Sequence, residues 1–214
     1  MTQIAAGLSQ VLEVLRHCDR FVLEQSQGLH CGPLTAVFVQ ASAWWVKAPA
    51  FLAVGALQDF RARRYVPALA GSAAMTAAAA AGLAAAIKEV VDRVRPALAD
   101  PAITALVSTP DSPSFPSGHA ATSFAAAAVV GSFHPRLRWP LYSLATVVGL
   151  SRIYLGVHYG LDVVAGAALG LALGLAAAWV IQRTVHVGGG CGRARRCFRS
   201  VPGAEHLAAE RLSP

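Results

Sequence analysis

Acidic side chains are scarce in this chain. Asp and Glu number 11 against 18 Lys and Arg in 214 residues, and charged residues of both signs make up only 14%. So thin a charge density, beside 55% hydrophobic residues and a mean hydropathy of +0.51, argues against an ordinary soluble domain and makes the bilayer the first expectation. The net charge of +7 must then be concentrated locally. In so apolar a chain a basic excess marks cytoplasmic loops rather than a nucleic-acid surface, and no nucleic-acid partner is expected. Cysteine is sparse too: Cys18, Cys31, Cys191 and Cys197 contain no CxxC pair, and with His186 and His206 they fit no standard zinc set. No metal and no cofactor is expected. A disulfide between Cys18 and Cys31 requires both to lie outside the cytoplasm. No signal peptide is expected at the N-terminus, because no basic region precedes an apolar core there.

What is present is a series of apolar segments. Residues 4–24 carry Ile4, Leu8, Val11, Leu12, Leu15 and Val22 at near-helical spacing, with Glu13, Arg16, Asp19, Arg20 and Glu24 between them. Those charges are too costly to span a membrane, so the segment reads as an amphipathic helix lying at the interface. Pro33 to Leu57 reads as a first span kinked near Pro49. Lys47 within it either faces the bundle or snorkels beside Trp44 and Trp45, the latter being the commoner case. Pro67 to Ile87, nearly uncharged and rich in alanine, is about 30 Å of helix, the thickness of a hydrocarbon core. His119 to Phe133, Trp139 to Gly156 and Gly160 to Gln182 read as three more spans. The expectation is an all-α integral membrane bundle of five transmembrane helices with an N-terminal interfacial amphipathic helix. Its parts are residues 1–32 (helix and turn), 33–182 (membrane domain) and 183–214 (flexible basic cytoplasmic tail). Arg61, Arg63, Arg64, Arg136, Arg138 and the arginines of the tail fall on one side of five spans, which is therefore expected to be cytoplasmic. Lys88 to His119 and Arg152 to Asp162 then share the extracytoplasmic face.

Three polar segments interrupt this pattern. Lys88 and Arg95 are seven residues apart, which on one continuous helix projects both from nearly the same face, with Pro96 stopping the helix. Arg93 points elsewhere and finds Glu89 four residues back, a surface pair. Pro116-Ser117-Gly118-His119 puts a hydroxyl, a glycine and free amide groups at the start of a helix, where anions bind; a plain serine N-cap is the alternative. His158 and Asp162 are four apart, so the carboxylate can hold one imidazole nitrogen and leave the other free to attack. Arg152 ends a span, an expensive position for an idle charge. In the last segment Asp162, Gly166, Gly170 and Gly174 recur every four residues, so the aspartate should turn toward the close-packed side.

Taken together, Lys88-x6-Arg95-Pro96, Pro116-Ser117-Gly118-His119 and Ser151-Arg152-x5-His158-x3-Asp162 resemble the signature of the type 2 phosphatidic acid phosphatase superfamily, in its membrane-embedded lipid phosphate phosphatase branch. The resemblance covers roughly residues 30–182. It implies His158 as a nucleophile forming a phosphohistidine, Asp162 as its orienter and His119 as general acid and then base. Lys88, Arg95, Ser117, Gly118 and Arg152 would bind the phosphate without a metal. It implies a multi-pass plasma-membrane enzyme acting on a lipid phosphate, similar to the small bacterial polyprenyl (undecaprenyl) diphosphate phosphatases. Phosphatidic acid, phosphatidylglycerophosphate and polyprenyl-phosphosugar substrates stay open, as do transfer to an acceptor other than water and a homo-oligomeric state. Vanadate-dependent haloperoxidases resemble the same constellation but are soluble.

Overall fold

The computed structural model describes residues 2–61 and 67–188; Arg63, Arg64 and the tail beyond Gly188 lie outside the described residues. Among the described residues every regular element is helical: α1 (Thr2–Gln27), α2 (Gly32–Ala41), α3 (Trp44–Lys47), α4 (Pro49–Arg61), α5 (Pro67–Val91), α6 (Pro96–Ala99), α7 (Gly118–Phe133), α8 (Arg138–Tyr154) and α9 (Gly160–Gly188), with a single 3-10 turn at Pro135–Leu137. Proline opens α4, α5 and α6, where its missing N–H is no loss and its φ already suits a helix. Residues 1–178 form one compact unit, and a second begins at Trp179, whose ring carries the Arg183 guanidinium 3.9 Å from its centroid.

The first expected span is in three pieces. α2 ends at Ala41, α3 is a single turn, and Ala48 breaks the chain before Pro49. Ser42, Lys47 and Pro49 thus mark two interruptions rather than one kink. Among the described residues two stretches are long and apolar enough to cross a membrane, Ala70–Ala99 and Gly160–Thr184. α7 and α8 are shorter, at 16 and 17 residues. Cys18 and Cys31 are both unpaired.

α7 lies at the centre and is buried along most of its length. Its polar content is low all round, as a helix enclosed by neighbours requires. Ala80 and Ala84 of α5 meet Ala121 and Ala125 of α7, with Leu169 and Leu173 of α9 filling in behind. Between α9 and α7 the glycine repeat sets the approach. A Cβ on Gly166 would collide with the Ser117 carbonyl, one on Gly170 with the Ala121 carbonyl, and one on Gly174 would lie 2.6 Å from the Ala128 Cβ. α9 therefore rides directly on the backbone of α7, which puts Asp162, one step up the same stripe, beside the start of α7.

Candidate active site

The polar segments meet where α5, α7, α8 and α9 end or begin. α5 stops at Val91 because Asp92 takes a left-handed conformation, φ 44°. Pro96 then starts α6 instead of stopping a helix. Lys88 and Arg95 therefore do not share a helical face. They converge because the chain turns back, and both reach the loop before α7. The Lys88 ammonium donates to the Pro113 carbonyl and, at 3.1 Å, to that of Ser114. Arg95 donates to Ser112 O at 2.8 Å, to the Ser112 hydroxyl at 3.2 Å and to Pro113 O at 3.4 Å.

His158 stands in the turn between α8 and α9, not on a helix. Gly156 makes that turn: its φ is +73°, and an added Cβ would lie 2.5 Å from the Thr104 carbonyl, so only glycine fits. The Arg152 carbonyl accepts from the amides of Val157 and His158, at 3.2 and 3.3 Å, drawing the imidazole back over the end of α8. Nδ1 of His158 lies 3.5 Å from Asp162 Oδ2 and 3.4 Å from the Ser114 hydroxyl. Asp162 is fully buried, and a bare carboxylate there would cost several kcal/mol. Its Oδ2 accepts from the Ser114 hydroxyl and from the Tyr159 amide at 3.0 Å, and its Oδ1 from Arg93 at 2.7 Å.

The opposite nitrogen, Nε2, lies 3.3 Å from Nη1 of Arg95, which also donates to Val157 O at 2.9 Å. Burial pushes His158 down to about 4, with Arg95 and Arg152 adding to the fall and Asp162 opposing it. The ring is therefore neutral near pH 7, with its proton on the Asp162 side and its lone pair facing a guanidinium. That is the state a nucleophilic imidazole needs, beside the cation that an incoming anion needs.

Arg152 is 5% exposed, and its Nε has no hydrogen-bond partner among the described residues. An unpartnered buried guanidinium N–H is costly and suits an anionic ligand. Ser117 caps α7: its hydroxyl accepts from the Ala120 amide at 3.5 Å. Its own amide donates to the Asp162 carbonyl at 2.8 Å and so is not available to a phosphate. Here the structure supports the capping alternative over the amide cradle. Gly118 keeps its opening, since a Cβ there would meet no atom within 4 Å. His119 donates from Nε2 to Ser42 O at 3.2 Å, in the break between α2 and α3.

With this geometry in view, the comparison with known families is direct: the profile of the PAP2 superfamily matches residues 69–185, more than half of the chain. The chain belongs to that superfamily. Over 128 residues it is 43% identical to the decaprenylphosphoryl-5-phosphoribose phosphatase of Mycobacterium tuberculosis, a stretch that makes up 60% of this chain and 64% of that protein. It thus spans less than two thirds of the relative's length. Over 70 residues it is 43% identical to the bacitracin transport permease protein BcrC of Bacillus licheniformis, covering 33% of this chain and 34% of that one. A transmembrane PAP2 type phosphatidylglycerolphosphate phosphatase from Bacillus subtilis superposes with a TM-score of 0.66 at 24% identity, covering 79% of this chain and 87% of its own. That likeness is one of fold.

Three residues of this PAP2 site escape the motif reading. Ser114 lies just outside the Pro-Ser-Gly-His turn, yet it touches both members of the His–Asp pair. Arg93 does not pair with Glu89; its two terminal nitrogens go to Asp162 and Asp19, each at 2.7 Å. Lys47 does not lie out beside the exposed Trp44 and Trp45. It is half-buried in the α3 turn, where its carbonyl accepts from Ser123 of α7 at 2.8 Å. Ser42 and Pro49, at the two interruptions of the first apolar segment, were the available signal for Lys47. Ser114 and Arg93 carried none.

Proposed function

We propose that this PAP2 protein is an integral membrane phosphatase that hydrolyses lipid phosphates through a phosphohistidine. The observation that carries the reading is the His158 ring, tied through Nδ1 to a buried carboxylate and presenting Nε2 to the Arg95 guanidinium. In the first step Nε2 attacks phosphorus, the Nε2–P bond forms and the P–O bond to the lipid breaks, and His119 gives a proton to the departing oxygen. In the second, His119 takes a proton from water, the hydroxide attacks phosphorus, and inorganic phosphate leaves Nε2. Arg95, Arg152 and Lys88, with Gly118 leaving room for the ligand's approach, stabilise the equatorial oxygens as cations and metals do in other phosphoryl transfers. The chain crosses the membrane five times, and its basic loops hold the catalytic ends on the extracytoplasmic side.

The substrate we propose is a polyprenyl lipid with two phosphates, a diphosphate or a phosphosugar, cleaved at the terminal one. Two features support it. The mycobacterial relative is named for a lipid with one phosphoryl group next to the prenyl chain and another on the sugar. Lys47, half-buried in the turn whose carbonyl accepts from Ser123, one turn along α7 from His119, adds a cation beyond the set that one phosphoryl group needs. The test is a panel of lipid phosphates, in detergent with EDTA, followed by released inorganic phosphate. Two-phosphate polyprenyl lipids should be preferred over phosphatidic acid in kcat/KM. Lys47→Met should reduce that preference by about tenfold or more, the worth of one charge-assisted contact, while sparing the one-phosphate lipid. Equal loss on both classes would overturn the assignment of Lys47, and loss of all activity with chelator would overturn the metal-free mechanism.

A further inference from the structure

The His–Asp pair does not end at Asp162. Its Oδ1 takes Nη1 of Arg93, Nη2 of Arg93 goes to Oδ2 of Asp19, and Oδ1 of Asp19 accepts from the Leu161 amide at 2.8 Å. Asp19 belongs to α1, 74 residues before Arg93, and is 4% exposed. Leu161 lies in the first turn of α9, next to Asp162, so one carboxylate of α1 both caps the helix that carries Asp162 and holds the arginine that grips it. The guanidinium is also stacked 4.0 Å from the centroid of Tyr159, the residue after His158. Arg93 reaches the other oxygen of Asp162 as well: its carbonyl accepts from the Ser114 amide at 2.7 Å, and the Ser114 hydroxyl donates to Oδ2. Both oxygens of Asp162 are thus set by Arg93, one directly and one through Ser114.

We propose that Arg93 and Asp19 are positioning residues for phosphoryl transfer, forming with His158 and Asp162 a four-residue chain that fixes the nucleophile's ring from the N-terminal helix. A buried salt bridge contributes little to stability compared with a well-packed apolar group. This one ends on the reacting side chain, and an attacking atom displaced by about 1 Å can cost about a hundredfold in rate. The terminal nitrogens of Arg93 and both oxygens of Asp19 are taken by protein partners, so binding should be spared. The inference rests on His158 as the phosphorylated residue, and the experiment separates the two. Purified full-length protein is mixed rapidly with a labelled lipid phosphate, quenched in alkaline detergent, and read for the rate and amplitude of phosphoenzyme formation.

Arg93→Met should slow labelling per active site by about a hundredfold, with KM within about twofold of the parent and the phosphoenzyme discharging at the parent rate. Asp19→Asn keeps an acceptor for Leu161 but weakens the hold on Arg93, and should slow labelling by a smaller factor at unchanged amplitude. A purely structural role would lower the amplitude and leave the rate per labelled site at the parent value, which would overturn the proposal; so would parent-like kinetics in both variants. If the parent protein itself never labels, the phosphohistidine reading has failed instead.

Discussion

Replacing His158 with alanine is expected to take lipid phosphate hydrolysis down by roughly five to six orders of magnitude, the usual cost of removing a nucleophile from a unit that acts together. The reason is the absence of a substitute. Asp162, the nearest carboxylate, is fully buried and occupied by Ser114, Tyr159 and Arg93. The Arg95 guanidinium that lies against Nε2 has no nucleophilic lone pair to offer. The variant should still bind substrate, because Lys88, Arg95 and Arg152 remain, and it should show no covalent label. A variant retaining a tenth of the parent rate would mean that water attacks phosphorus directly and that the imidazole is dispensable.

His119→Ala should behave differently, and the contrast is the informative part. With an alkyl leaving group, general-acid assistance is worth about a hundred- to ten-thousandfold, and turnover should fall by that much. With a good leaving group such as a nitrophenolate, the first step needs little protonation. Labelling should then proceed while discharge by water, which lacks its base, becomes slow. The phosphorylated fraction at steady state should rise toward one per chain, measured by label retained after an alkaline quench. The hydrogen bond from His119 to Ser42 ties this role to the α2–α3 break. If His119→Ala lowers labelling and discharge equally with both kinds of leaving group, the proton-transfer role is wrong.

Much of this site was legible in the sequence because its parts are local. Gly166, Gly170 and Gly174 announced the face on which α9 meets α7, and the backbone contacts at each glycine follow that stripe. His158 and Asp162 do meet, although the spacing argument assumed a helix at His158, and the actual cause is the left-handed turn at Gly156. Lys88 and Arg95 converge for a different reason from the one their spacing suggested. A shared helical face was expected, whereas a reversal at Asp92 and a common loop of carbonyl acceptors bring them together. What could not be read is long-range. Glu89 was the obvious neighbour for Arg93 by helical spacing, but once α5 ends at Val91 that rule no longer applies, and the partner comes from α1. Lys47 needed the first apolar segment to be broken twice, and propensity rules locate such breaks poorly when Trp, Val and Ala surround them.

The most direct test of a covalent histidine intermediate is the stereochemical course at phosphorus. A lipid phosphate made chiral with oxygen isotopes and sulfur, hydrolysed in isotopically labelled water, reports how many in-line displacements have occurred. Attack by His158 followed by attack of water amounts to two, and net retention of configuration is predicted. Net inversion would mean a single displacement by water and would contradict the account.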